Sequence, residues 1–343
     1  MTTTDTADVE ATTKQIKHLE ALGCDIIRVA VPNIESADAI AKIKENINIP
    51  LVADIHFDHK LALRAIEAGA DKIRINPGNI GKTDSKGSNP HVKEIADACN
   101  RKKIPIRIGV NGGSLEREIL AKHGDITPEA MVESALGHIK LLNKYDFDNI
   151  WISAKTSNVP LTVKTYRLLS EQTKYPLHIG ITEAGTEYNG IIKSSIGIGA
   201  LLLDGIGDTI RVSLTAEPER EVIAAKAILK ALGLRPGLDI ISCPTCGRCN
   251  IDLMGMVNEV EKKLTDGSIL SDTTWYDKNI TVAIMGCSVN GPGEAAHADY
   301  GIAGCTRASK VGVLFAKGKI VNKVPIKKLT EELVKLILKE VTK

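Results

Sequence analysis

Long apolar runs are missing from this sequence, and so is any strong excess of charge. No stretch approaches the roughly 18 apolar residues that a membrane-spanning helix needs. The first residues, MTTTDTADVEATTKQ, contain neither the basic region nor the apolar region of a secretory signal. A formal net charge of +2 is too small for a protein that binds nucleic acid through bulk charge. These absences predict a cytoplasmic protein with neither a membrane nor a nucleic-acid partner.

The composition is that of a globular protein, with 43% apolar and 25% charged residues. A chain of 343 residues is too long for one ordinary core, which predicts one large domain and one small domain. We place the boundary after Pro236, within the short linker of residues 234–237. The expected domains are therefore residues 1–236 and residues 237–343.

Seven short segments rich in β-branched residues alternate with helical patterns in the first domain. The segments are Cys24–Val31, Ile49–His56, Lys72–Asn76, Ile104–Asn111, Ile150–Lys155, Leu177–Thr182 and Thr209–Leu214. Strand–helix units of about 30 residues indicate an α/β fold with a parallel sheet and favour a TIM-type (β/α)8 barrel. Because a helix precedes the first segment, we expect the first barrel strand to be missing from this chain. A doubly wound sheet is the structural alternative.

The second domain has a different pattern, which predicts a compact α+β fold. The expected elements are a strand at 239–242, a helix at 251–264, a strand at 281–285, a hairpin at 311–324 and a final helix at 326–341.

Polar and charged residues cluster near the carboxyl ends of the predicted barrel strands, most of them two residues apart. They are Arg28, Asp54, His56, Arg74, Asn76, Arg107, Asn111, Ser153, Lys155, Arg211 and Ser213. Residues two apart face the same side of a strand, and the carboxyl ends of barrel strands meet at one mouth. Several cations there would repel each other, whereas phosphate oxygens would satisfy their donors. We therefore expect a small, doubly phosphorylated substrate. The alternative is that these polar residues cap the layers of side chains inside the barrel or pair with acids on neighbouring strands.

Glu183 ends the sixth predicted strand, in the segment GITEAG. A carboxyl group at this rim suits a general acid, because the surrounding site sets its proton affinity. An ion pair with a nearby arginine is the alternative role.

Seven cysteines, an odd number, favour free thiols and metal ligands over a disulfide framework. Cys243, Cys246 and Cys249 have ferredoxin-like spacing on one turn-rich loop, and Cys287 follows a later strand. This pattern predicts an iron–sulfur site, with structural zinc as the alternative. The isolated Cys24 and Cys99 suit core positions.

The motifs resemble those of the 4-hydroxy-3-methylbut-2-enyl diphosphate synthase family, also called IspG/GcpE. They are VADIHFD, RINPGNIG, PIRIGVN, GITEAG, IGDTIRVSL, CPTCGR and GCSVNGPGEA, in this order over nearly the whole chain. The resemblance implies reductive ring opening and dehydroxylation of 2-C-methyl-D-erythritol 2,4-cyclodiphosphate in non-mevalonate isoprenoid biosynthesis. It also implies an iron–sulfur oxidoreductase that receives two electrons from ferredoxin or flavodoxin.

The resemblance further implies one 4Fe-4S cluster. Its ligands would be Cys243, Cys246, Cys287 and Glu294. This sequence adds Cys249, which the family pattern usually lacks, so a four-cysteine cluster is the alternative.

The family pattern also implies which residues hold the cyclic diphosphate. They are Arg28, Asp54, His56, Arg74, Asn76, Arg107, Asn111, Lys155, Arg211 and Ser213. By the same comparison Glu183 is the proton donor. The family forms homodimers in which the cluster domain of one subunit closes over the barrel of the other, so a homodimer is expected. Two other functions stay open, a non-redox iron–sulfur dehydratase of a phosphorylated substrate and a non-catalytic metal-cluster sensor.

Overall fold

The computed structural model describes residues 1–82, 84, 87–249, 251–265, 279–287, 293, 297–304 and 310–341. The chain divides into two compact units, Met1–Ile228 and Leu229–Lys343. The division lies eight residues before the boundary that the sequence predicts, and the predicted boundary after Pro236 stays a prediction. In the described part of the chain, no helix has the length and apolar character needed to cross a membrane.

Parallel strands of the first unit follow one another in sequence order. They are β1 (Ile27–Ala30), β2 (Leu51–Asp54), β3 (Lys72–Ile75), β4 (Ile106–Asn111), β5 (Ile150–Lys155), β6 (His178–Ile179) and β7 (Thr209–Ile210). Strands β1 to β5 pair consecutively, β6 pairs with β7, and a bridge between Ile152 and Leu177 connects β5 to the start of β6. A doubly wound sheet would reverse its strand order in the middle. The sequential order is that of a (β/α) barrel, so the alternative architecture is wrong.

The first residues do not form a strand in this structure but lie along β1. The backbone N–H of Thr2 donates to the Arg28 carbonyl at 3.1 Å, and the Thr6 hydroxyl donates to the Ala30 carbonyl at 2.7 Å. The polar edge of β1 is thereby partly satisfied.

Helices separate the strands of the first unit. They are α1 (Val9–Ala21), α2 (Ile34–Lys44), α3 (His59–Glu67), α4 (Pro90–Lys102), α5 (Arg117–His123), α6 (Pro128–Asn143), α7 (Val159–Gln172), α8 (Glu187–Leu203) and α9 (Pro218–Ala231). Most are preceded by an N-cap residue whose side chain accepts a hydrogen bond from a backbone N–H of the first turn, such as Asp8, Asn33 and Thr127. These caps satisfy backbone N–H groups that have no partner within the helix.

Alternation along each strand decides which side chains face the barrel interior. In β3, Ile73 and Ile75 are completely buried among apolar residues, while Arg74 between them points to the opposite face. In β4, Ile106 and Ile108 are likewise separated by Arg107. Since successive side chains of a strand alternate between faces, one face holds the core and the other carries the charges.

The second unit is an α+β fold, as the sequence predicts. Its elements are β8 (Leu238–Ser242), α10 (Leu253–Thr265), β9 (Ile280–Met285), β10 (Tyr300–Ala303), β11 (Val311–Ala316), β12 (Lys319–Pro325) and α11 (Leu329–Val341). The strand order is β12-β11-β10-β9-β8. Strands β8, β9 and β10 are parallel to one another, β11 is antiparallel to β10, and β12 is antiparallel to β11. Strand β10 is an addition to the predicted elements.

One tyrosine links β5 to β6 where the strand pairing is sparse. Tyr166 on α7 is completely buried. Its hydroxyl accepts from the backbone N–H of Ala154 at 2.9 Å and donates to the carbonyl of His178 at 2.7 Å. These two hydrogen bonds of Tyr166, together called the Tyr166 bridge, set the position of β6 relative to β5.

We expect Tyr166→Phe to lower the free energy of unfolding by roughly 1–3 kcal/mol, because it leaves two buried backbone groups without a partner. Urea denaturation followed by circular dichroism measures the change. Tyr175→Phe is the matched control, since the hydroxyl of Tyr175 bonds to Asn143 and Asp148 near the surface, and we expect a change within about 0.5 kcal/mol. Equal losses in the two variants would contradict the role of the bridge.

Candidate active site

A cavity of about 230 Å³ lies at the carboxyl ends of the barrel strands. Its lining residues are Met1, Arg28, Asp54, His56, Arg74, Arg107, Asn111, Ser153, Lys155, His178, Thr182 and Arg211. Among the described residues that line it, four arginines and a lysine face a single carboxylate. The cavity therefore has the charge of an anion-binding site.

Strand register explains how three of these charges meet. Asp54 on β2 is directly opposite Arg74 on β3, and Arg74 is directly opposite Arg107 on β4. These three register partners place one carboxylate and two guanidinium groups side by side on the face of the sheet that lines the cavity. Arg74 Nη1 lies 2.9 Å from Asp54 Oδ1. Arg28 Nη1 on the other side lies 3.3 Å from Asp54 Oδ2.

The carboxylate of Asp54 is ionised in this setting. Burial raises its pKa, but the charges of Arg28, Arg74 and His56 act more strongly together, and the net pKa is lowered. His56 Nε2 lies 3.8 Å from Asp54 Oδ2. Asp54 therefore neutralises part of the cationic cluster and orients two of its arginines.

Two other arginines have buried nitrogens without a hydrogen-bond partner. They are Arg107, which is 6% exposed, and Arg211; in each the unsatisfied atom is Nε. Burial, followed by repulsion from Arg28, lowers the pKa of Arg107 to about 9. Burial also lowers the pKa of Arg28 to about 10. Buried donors of this kind are costly unless an acceptor reaches them, and phosphate oxygens are such acceptors.

Lys155, at the end of β5, adds a further buried cation. It is 3% exposed, and burial together with the charges of Arg211 and Arg107 holds its pKa well below the usual value. No carboxylate pairs with it in the described part of the chain. An anion in the cavity would offset the repulsion and favour the charged form of this lysine.

Two glycines, Gly109 in β4 and Gly180 directly after β6, allow close contacts at the cavity. A Cβ on Gly109 would lie 2.7 Å from Arg74 Nη2, so a larger residue there would displace the guanidinium group. Gly180 has φ +154°, and a Cβ there would meet the carbonyl oxygen of Arg211.

Asn111 also holds Arg74 in place. With its oxygen toward Arg74, the Asn111 amide accepts from Arg74 Nη2 at 3.2 Å.

Three of the predicted site residues are not among those that line the cavity. Asn76 is buried and accepts from the Gly78 N–H at 3.1 Å, which supports the turn after β3. Ser213 accepts from Arg211 Nη2 at 3.2 Å and thus contacts a lining residue. Glu183 is exposed and has φ +50°. It follows Thr182, which does line the cavity.

The structure also adds lining residues that were not predicted as ligands. Ser153, Thr182 and His178 all line the cavity. Ser153 is directly opposite Gly109 in the register of β4 and β5. Alternation already places Ser153 at this rim in the sequence, two residues before Lys155, although it is not among the predicted ligands. His178 is two residues from Gly180 and four from Thr182, so the same periodicity relates them.

The second unit brings thiols of two loops to one glycine. The backbone N–H of Gly286 donates to Cys243 Sγ at 3.3 Å. A Cβ on Gly286 would lie 2.6 Å from Cys249 Sγ. Cys287, next in the chain, is 8% exposed. Cys246 is exposed, and hydrogen bonds from Arg248 lower the pKa of its thiol, which favours the thiolate.

This arrangement fits a metal cluster with soft sulfur ligands. Cys249 and Cys287 lie 38 positions apart in the chain, and the loops that carry them approach each other because Gly286 has no side chain to exclude Cys249 Sγ. Among the described residues, no three metal-ligating side chains already converge on one point. Glu294, the predicted fourth ligand, and Cys305 lie outside the described residues. Cys99, predicted as a core residue, is completely buried, and Cys24 is partly buried.

Comparisons with known proteins agree with this two-part organisation. The family model of the GcpE TIM-barrel domain matches residues 1–226, and that of the GcpE protein C-terminal domain matches residues 239–339. A 4-hydroxy-3-methylbut-2-en-1-yl diphosphate synthase (flavodoxin) from Caldicellulosiruptor saccharolyticus is 58% identical over 98% of this chain and 92% of its own length. A relative of the same name from Caldanaerobacter subterraneus is 57% identical over 99% of this chain and 91% of its own length.

Solved structures resemble the chain more distantly. Dihydropteroate synthase from Yersinia pestis aligns with a TM-score of 0.45 and 10% identity over 66% of this chain and 90% of that chain. This likeness is too low to carry an argument about the site.

We expect Gly109→Ala to weaken binding of inorganic pyrophosphate roughly tenfold, because the added methyl group displaces the Arg74 guanidinium from its charge-assisted contacts. Isothermal titration calorimetry measures the dissociation constant. Gly113→Ala, in the turn directly after β4, is the matched control, because a Cβ there meets open space. Unchanged affinity in Gly109→Ala would refute the placement of Arg74 in the anion site.

Proposed function

Since the chain belongs to the GcpE family, we propose that it reductively opens 2-C-methyl-D-erythritol 2,4-cyclodiphosphate and removes a hydroxyl group, forming 4-hydroxy-3-methylbut-2-enyl diphosphate. Membership confirms the resemblance predicted from the motifs. The reaction belongs to non-mevalonate isoprenoid biosynthesis, and the enzyme is an oxidoreductase. The observation that carries the proposal is a cavity lined by four arginines and a lysine but only one carboxylate among the described residues.

The charge of the cavity matches that of a cyclic diphosphate. Arg107 and Arg211 offer buried N–H donors without partners, and Lys155 adds a further cation. Arg28 and Arg74 are held by Asp54, which leaves their remaining N–H groups for phosphate oxygens. We assign Arg28, Asp54, His56, Arg74, Asn111, Lys155 and Arg211 to the first layer around the substrate. Asn76 and Ser213 support that layer through the turn after β3 and through Arg211.

The balance of the reaction defines what the protein must supply. Two electrons and two protons enter, and two C–O bonds break, the one that closes the ring and the one to a hydroxyl group. A carbon–carbon double bond forms between the two carbons, and the protons go to the released phosphate oxygen and to the hydroxyl group, which leaves as water. Both phosphates stay on the product, so the cationic cavity binds the substrate and the product alike. Glu183 is the proposed proton donor, and its exposed position in the loop after β6 requires that the loop approach the bound substrate.

Thiolates of the second unit provide the redox site. Cys243, Cys246 and Cys287, with Glu294, would hold one 4Fe-4S cluster, which transfers electrons one at a time when bound. Cys249 is the competing ligand, because its sulfur already lies beside Gly286. Flavodoxin is the proposed electron donor, following the name of the relatives, and ferredoxin is the alternative. The homodimer with a shared active site and the cytoplasmic location stay predictions.

The direct test is an anaerobic single turnover. Protein reconstituted with iron and sulfide is mixed with the cyclodiphosphate and dithionite, and the product is measured by mass spectrometry. We expect formation of the linear diphosphate only when reductant is present. Turnover without any reductant would point to a non-redox dehydratase, and one zinc with no iron per chain would point to a structural metal domain.

We expect Glu294→Ala to lower turnover far more than Cys249→Ser, by at least tenfold against less than about threefold, because loss of a ligand exposes one iron. Iron content and Mössbauer spectra of both variants show whether the cluster is intact. The reverse order would make Cys249 the ligand.

We expect Glu183→Gln to keep substrate affinity within about threefold and to slow turnover on the order of a hundredfold, as for loss of a proton donor. Binding is measured by calorimetry without reductant, and turnover by product formation. Glu187→Gln is the control, since Glu187 pairs with Arg220 on the surface nearby. Loss of binding in Glu183→Gln would instead mark a structural residue.

A further inference from the structure

His178 is a buried histidine in the cavity that neither the sequence motifs nor the proposed reaction uses. It begins β6, is 7% exposed and lines the same cavity as the arginines. Its carbonyl accepts from Tyr166, which is itself bonded to Ala154 on β5. The backbone at His178 is therefore held in place beside the strand that ends in Lys155.

The ring of His178 is held by the neighbouring strand. Thr209 on β7 is directly opposite His178, and the two side chains lie on the same face. His178 Nδ1 lies 2.8 Å from the Thr209 hydroxyl oxygen. In the described residues this hydroxyl makes no other hydrogen bond. A hydroxyl can donate to Nδ1 or accept from it; when it donates, the ring proton is on Nε2.

In the absence of an anion, the surroundings keep this imidazole neutral. Burial, followed by the charges of Lys155, Arg107, Arg211 and Arg28, holds the pKa of His178 well below its usual value. A neutral ring adds no repulsion to the cationic cluster. It still offers one directional donor, which is the Nε2–H group when Thr209 donates to Nδ1.

We propose that the Thr209 hydroxyl donates to His178 Nδ1, and that the Nε2–H of His178 in turn donates to a phosphate oxygen of the bound diphosphate. His178 is then a further substrate-binding residue, and Thr209 is the residue that positions it. The inference rests on the proposed function for the identity of the substrate. Arginine and lysine supply most of the charge, whereas His178 supplies a fixed direction from the β6 side of the cavity.

Two pairs of variants separate the donor from its support. His178→Asn places an acceptor near Nδ1 but cannot reach the position of Nε2, whereas His178→Gln can carry an N–H group to that position. Thr209→Val removes the hydroxyl with little change in shape, and Thr209→Ser keeps it. Thermal unfolding of each variant checks that the fold is preserved.

Binding is measured by calorimetry on the reconstituted, oxidised protein without reductant, so that no turnover occurs. The probes are the cyclodiphosphate and, separately, inorganic pyrophosphate. We expect His178→Asn to weaken binding of both about tenfold, the loss of one hydrogen bond, and His178→Gln to stay within about threefold. We expect Thr209→Val to weaken binding about threefold and Thr209→Ser to match the unmodified protein.

Several outcomes overturn the inference. Unchanged affinity in His178→Asn, or equal losses in the Asn and Gln variants, would show that the ring is not a donor to the anion. If His178→Asn does not fold, the Thr209 pair decides, and equal affinity in the Val and Ser variants counts against the inference.

The proposed function fails separately. If the unmodified protein binds pyrophosphate but not the cyclodiphosphate, the proposed substrate is wrong, and the order of the variants with pyrophosphate still tests His178. If it binds neither anion, both ideas are wrong.

Discussion

Positive charge buried at the carboxyl ends of the barrel strands is the condition on which the site depends. Arg28, Arg107 and Lys155 are removed from water, and Asp54 alone among the described lining residues carries the opposite charge. Removing an ion from water costs several kcal/mol unless a partner compensates. A ligand with two phosphates supplies both the missing charge and the missing acceptors, so the cavity favours that ligand over neutral or cationic molecules.

The barrel tolerates this charge because its strands separate the charges from the apolar core. Ile73 and Ile75 pack on one face of β3, and Arg74 lies on the other. Register then places Asp54, Arg74 and Arg107 side by side. The ion pairs of Asp54 orient the guanidinium groups before a ligand arrives, which lowers the entropy lost on binding.

The second unit also carries its reactive residues at the ends of strands, but these residues are cysteines. Cys243 directly follows β8, and Cys287 follows the adjacent parallel strand β9 after Gly286. The small residue Gly286 lets the sulfurs of Cys243 and Cys249 approach the turn that carries Cys287. Thiolates from two neighbouring strand ends suit a cluster that must exchange electrons without large rearrangement.

The sequence by itself determined the alternation of strands and helices, the inward parity of Arg28, Arg74 and Arg107, and the cysteine spacing. These are local properties, set by residues a few positions apart. The sequence patterns did not predict β10, which has only four residues. Its pairing with β9 and β11 defines it as a strand, and its own sequence pattern does not. Only the tertiary structure decided that Asp54 holds two arginines, that Asn76 and Glu183 do not line the cavity, and that His178 does. Those relations depend on register between strands 20 or more residues apart, which no local pattern encodes.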